Sequence, residues 1–160
     1  MAALSRLTHK AGKPPVVIAT VNAALQRVPA RDLVASQTLV AAPGNVIRMD
    51  DVIRWLDLNG FLRASTVREP GEYAVRGGIV DLFPPGTDVP VRLDFFGDSL
   101  ESIRTFDPET QRTAGQLRTL ELLPVAEFQL TADTIARFRK GYLARFGAAR
   151  RDDLLYEAVS

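Results

Sequence analysis

The sequence predicts an α+β domain, a mostly antiparallel sheet of meanders and hairpins with helices packed on it. Two observations carry this expectation. Between Gly71 and Thr113, short β-favouring runs are separated by Arg76-Gly77-Gly78, Pro84-Pro85-Gly86 and Gly97-Asp98, all turn or breaker strings. Helical spacing is confined to other stretches: Val52, Ile53 and Leu56 before that run, and Ile135, Phe138, Tyr142 and Phe146 after it. Strands and helices are segregated, which is the α+β pattern and not that of βαβ units.

Taken in order, Pro14-Pro15 introduces an apolar strand over Val16 to Ala19, and Val21 to Val28 reads as a helix that ends at Pro29. Arg31 to Ser36 allows a turn of helix, and Thr38 to Ala42 is a strand ended by Pro43-Gly44-Asn45. A helix capped by Met49 or Asp50 runs to about Leu58. Acids in its first turn suit the positive end of the helix dipole, and Asn59-Gly60 closes it. Phe61 to Val67 reads as a further strand, with Pro70-Gly71 leading into the meander. There the strands are Tyr73 to Val75, Ile79 to Phe83, Val91 to Phe96 and Leu100 to Phe106. Thr131 caps a long final helix that Gly147 ends, and a short helix is expected over Asp152 to Val159.

The strand Val91 to Phe96 holds the functional question. With a period of two, Val91, Leu93 and Phe95 share an apolar face, while Arg92, Asp94 and Phe96 share the other. If that second face is covered, Phe96 is core and Arg92 pairs with Asp94 or snorkels to solvent. If it is open, an aromatic flanked by arginine has the composition of a protein-binding hot spot. Alternation alone leaves both open. Asp81, inside an apolar run, is expected to pair with a nearby arginine.

The string RGGIVDLFPPG, followed by VRLDFFGDSLESIRTFDPETQRT, resembles the second domain of the nucleotide-excision-repair protein UvrB and of its relatives, the transcription-repair coupling factors. The Arg-Leu-Asp-Phe-Phe spelling and the ending Gln111-Arg112-Thr113 are more similar to the coupling factors than to UvrB. The stretches Pro15 to Val28 and Leu120 to Glu127 are similar, less specifically, to pieces of the nucleotide-binding-like lobe that flanks this domain in both families. The resemblance implies residues 1–37 as the partial end of that lobe, 38–123 as the second domain, and 124–160 as the start of the returning lobe. It also implies docking of UvrA, the damage-recognition ATPase, through Arg76, Arg92 and Phe96. RNA polymerase and DNA would be met through other domains of a full-length protein. ATP and magnesium would belong to its motor modules, so no cofactor is expected here.

Composition narrows the remaining options. The 160 residues are 46% apolar with a net charge of +1, and they suffice for one ordinary core. No apolar run approaches the length of a membrane span. The N-terminus lacks a signal core and cleavage site, and with no cysteine the expected location is the cytoplasm. His9 is the only histidine and lies in a polar stretch, and no phosphate-binding G-x-x-x-x-G-K-[ST] string occurs. Catalytic and metal roles are therefore not expected, and the chain is read as a non-enzyme.

Charge is unevenly distributed. Residues 50–109 hold twelve acids against six basic residues, whereas residues 131–151 hold six basic residues against Asp133 alone. The basic helix raises an alternative, a nucleic-acid-binding module over 131–151, because lysine and arginine release phosphate counterions. No aromatic stacking platform or known DNA-binding motif is expected beside that charge. A second alternative is the equivalent domain of UvrB itself.

Overall fold

A computed structural model of the protein describes residues 16–147, in two compact units that meet in sequence at Glu127 and Phe128. The first unit is α+β. Its elements are α1 (Val21–Leu25), α2 (Arg31–Ser36), β1 (Leu39–Ala41), α3 (Met49–Leu58), β2 (Leu62–Arg63), β3 (Glu72–Arg76), β4 (Ile79–Leu82), β5 (Val91–Phe96), β6 (Ser99–Phe106), β7 (Thr113–Leu117) and β8 (Leu120–Leu122). Six strands form one sheet in sequence order, β2 through β7, and β1 pairs with β8 in a separate antiparallel pair. From β3 to β7 every pairing is antiparallel, a meander whose β3–β4 and β5–β6 connections are two-residue turns and whose other two are longer loops.

One face of the sheet holds the core. Tyr73, Val80, Leu82, Val91, Leu93 and Ile103 are buried there with Val52 and Leu56 of α3. The α3 residues lie four apart on one stripe, so a single helical face closes over the strands. Tyr73 also donates its hydroxyl to Asp57 of that helix. Burial, together with that bond, pushes the Tyr73 pKa up to about 12.

Asn59 ends α3 and its carbonyl accepts from the backbone N–H groups of Val125 and Ala126. The next residue, Gly60, has φ +84°, and a Cβ there would lie 2.9 Å from that of Ala126. Only glycine allows the chain after β8 to approach so closely. A smaller cluster of Val67, Ala74, Phe83 and Phe106 is buried on the opposite face of the sheet.

Three expectations change. Val16 to Ala19 is exposed and lies in no ladder, because a strand needs a partner backbone and none of the described strands adjoins it. The strand expected over Phe61 to Val67 is reduced to Leu62–Arg63, which pairs parallel with β3. Beyond it the Glu72 carboxylate accepts from the N–H groups of Arg68 and Glu69, bending the chain, and Val67 turns into the smaller cluster. The N-cap of α3 is Arg48, without a side-chain cap bond, so Asp50 and Asp51 act through the first-turn dipole instead.

The second unit contains α4 (Ala132–Phe146). Thr131 caps it through a reciprocal exchange with Thr134, and Gly147 follows its last turn. The expected helix over Asp152 to Val159, and His9, lie outside the described residues.

Candidate protein-docking face

The sheet surface opposite α3 carries a two-row polar array. Register places Ala74, Asp81, Arg92, Arg104 and Gln116 side by side across five strands. The next row holds Arg76, Ile79, Asp94 and Ser102. Because cross-strand partners share a face, Arg76, Arg92 and Phe96 lie on the same side of the sheet. The sequence-predicted residues are thus brought together on one surface, though in three different environments.

Arg92 is the most enclosed of the three. Its Nε and Nη2 donate to Asp81 Oδ1 and Oδ2 at 2.6 and 2.9 Å, a forked charge-assisted pair. Its guanidinium carbon also stands 4.9 Å from the centroid of the Phe106 ring, within cation–π range. The expectation that Arg92 would pair with Asp94 or reach solvent is corrected. Asp94 lies two residues along the same strand, whereas Asp81 stands directly opposite in the ladder. The Asp81 bond raises the Arg92 pKa above its already high ordinary value, so the cation is permanent.

Arg76 donates Nη2 to Asp81 Oδ2 at 2.8 Å and keeps half of its side chain exposed. It stands at the end of β3, where the two-residue turn Gly77-Gly78 reverses the chain. Gly77 has φ +58°, and a Cβ on Gly78 would lie 2.8 Å from the Phe95 carbonyl oxygen. That close approach brings the turn against β5, where Phe95 N–H donates to the Gly78 carbonyl.

Asp94 is engaged by Arg104, through Nε and Nη2, and by Ser102. Burial alone would raise its pKa, but those hydrogen bonds outweigh burial and hold it below the usual carboxylate value. Between Asp94 and Phe95 the register slips, with Ser102 opposite the first and Leu100 opposite the second, so Glu101 is an extra residue in β6. Such a bulge re-aims the strand end beside it. Phe96, next along β5, is 76% exposed at the rim of the array. The open alternative for this face therefore holds at Phe96, while at Phe106 the same face is buried.

Sequence reasoning missed Arg104 and Phe106 as members of this array and identified Asp81 only as a paired acid. Their signal lies in cross-strand register, which no local pattern carries. Among the described residues, no group of three or more His, Asp or Glu side chains is placed to hold a metal ion, and no helix is long and apolar enough to cross a membrane.

The second unit differs. Along α4 the rings of Phe138 and Tyr142 are 5.7 Å apart and those of Tyr142 and Phe146 are 4.9 Å apart. Arg137 and Arg145 border the same shallow depression. The aromatic members of the expected stripe thus form a row along the basic helix, because spacing of four residues aligns them on one side. Arg150 and Arg151 lie outside the described residues.

One sheet face thus combines forked arginine–carboxylate pairs with the exposed ring of Phe96. The chain belongs to the UvrB interaction domain family, whose model matches residues 39–128. It is 37% identical over 98% of its length to a transcription-repair-coupling factor of Haemophilus influenzae, and 37% identical over 91% to that of Escherichia coli (strain K12). Similarity to the Bacillus subtilis (strain 168) coupling factor is 31% identity over 84% of the chain. The chain spans only 14% of the Haemophilus relative and 13% of the Escherichia one.

Proposed function

We propose that this chain is the UvrA-docking domain of a transcription-repair coupling factor. In that role it delivers UvrA, and with it nucleotide excision repair, to RNA polymerase stalled at a lesion, the polymerase and DNA being met by other parts of the full-length protein. The observation that carries the reading is Phe96, an exposed aromatic on the same sheet face as Arg76 and its ion-pair array. Arg76 offers forked donors to a carboxylate on the partner, and Phe96 supplies apolar area that loses water on contact. The similarity to coupling factors over nearly the whole chain supports the same assignment and favours it over UvrB itself.

The experiment is co-elution with purified UvrA on size exclusion. The wild-type chain is expected to travel with UvrA, and Arg76→Glu/Phe96→Ala is expected to elute alone. Separate elution of the folded wild-type chain would reject the docking role.

The aromatic row of α4 with Arg137 and Arg145 favours a second reading, a surface for single-stranded nucleic acid, in which bases stack on rings and phosphates meet arginine. Its mark would be DNA retention that falls steeply between low and physiological salt. No retention at low salt would dismiss it.

A further inference from the structure

A side chain that a partner grips has to be accessible, and Arg92 is largely not. Its side chain is 16% exposed, against 50% for Arg76. Both of its available functions are already engaged: the fork of N–H groups on the Asp81 carboxylate, and the cation over the Phe106 ring. Asp81, only 1% exposed, holds Arg92 on both oxygens and shares Oδ2 with Arg76. One buried carboxylate therefore joins an enclosed arginine to an open one.

We propose that Asp81 is a positioning residue of the docking face, and that Arg92 serves docking through Asp81 and not by touching the partner. The inference rests on the docking reading above. Arginine is long and has many rotamers, so an untethered Arg76 at a strand end would have to be ordered when a partner arrives. The Asp81 carboxylate removes much of that cost in advance by fixing one Nη. Arg92 in turn fixes the carboxylate, because a bidentate fork leaves it a single orientation, and the Phe106 ring beneath the guanidinium carbon holds Arg92 in place. Ring, arginine, carboxylate and arginine form a chain of restraint that ends at the exposed group. Asp81 also offsets one of the two positive charges, so the cluster presents a single directed cation.

Asp81 and Arg92 are then effective only while Arg76 is present, and a double-mutant cycle on UvrA affinity reads that dependence directly. Asp81→Asn and Arg92→Lys are each expected to weaken binding about tenfold in the otherwise wild-type chain. In the Arg76→Ala background neither is expected to weaken it further. A purely structural role would lower thermal stability equally in both backgrounds and would show no such coupling in affinity. The same loss from Arg92→Lys with and without Arg76 would mean that Arg92 meets the partner itself, and would overturn the proposal. Unchanged affinity of both single variants would overturn it as well. Failure of the wild-type chain to bind UvrA would instead reject the docking reading on which it rests. If Asp81→Asn does not fold, Arg92→Lys, which keeps a cation against the carboxylate, completes the cycle alone.

Discussion

The two faces of the six-stranded sheet are made by the same strands and obey different rules. On the face under α3 the packing is mainly apolar, with Val80, Leu93 and Ile103 buried side by side. On the other face, alternate residues of the same strands build an ion-pair array that grades from buried Asp81 to exposed Phe96. Non-directional burial fixes the fold on one side, and directional bonds fix side-chain positions on the other. The lesson is that a strand with period two can carry stability and recognition without mixing them. Substitutions should then separate into those that lower stability and those that lower affinity.

The largest effect expected on stability is in the core. Ile103→Ala should destabilise the domain by about 3 kcal/mol, through lost transfer energy and a residual cavity, as read from urea unfolding. Binding measured below its melting temperature should be unchanged. Arg92→Ala breaks the comparison deliberately, since it lies on the recognition face yet partners a buried charge. It should cost about 2 kcal/mol of stability, less than full loss of a buried pair because Arg76 remains on Asp81. Adding Asp81→Asn should recover part of that loss, because the buried side chain that lost one of its two cations is then neutral.

Phe96→Ala is the converse. Its stability should stay within about 0.5 kcal/mol of wild type, and its affinity for UvrA should fall by on the order of 2 kcal/mol, roughly thirtyfold.

The smallest effect is on pH dependence. The folded-state pKa of Asp94 is depressed, so its contribution to stability is present above its unfolded value of about 3.9 and is lost as pH falls through the folded value. Urea midpoints of the wild type should therefore decline more between pH 5 and strongly acidic conditions than those of Asp94→Asn. Parallel declines would show that the Arg104 and Ser102 bonds contribute nothing to stability.

What the sequence made legible was local. Gly77-Gly78, Gly97-Asp98 and the Pro84-Pro85-Gly86 stop carry their turn chemistry in three residues or fewer, so the strands they separate could be read within a residue or two. The last helix was legible for the same reason, from Thr131 and Gly147. The strand expected over Val16 to Ala19 failed because its ladder would need a partner that apolar composition does not reveal. Leu62–Arg63 was overextended because its parallel pairing with β3 is non-local. The contacts of Arg92 are a register effect: Asp94 is its neighbour in sequence, but Asp81, eleven positions away, is its neighbour in space. Exposure of Phe96 was equally beyond alternation, since period two separates the faces without saying which one stays open.

The most direct test of the central claim is calorimetric titration of this chain into UvrA, with Phe96→Ala and Val40→Ala run alongside. Val40 is likewise an exposed apolar residue, 63% accessible, but it lies in the separate β1–β8 pair. Wild type and Val40→Ala are expected to bind alike, and folded Phe96→Ala is expected to bind far more weakly. Equal affinity of all three chains, or no binding by wild type, would contradict it.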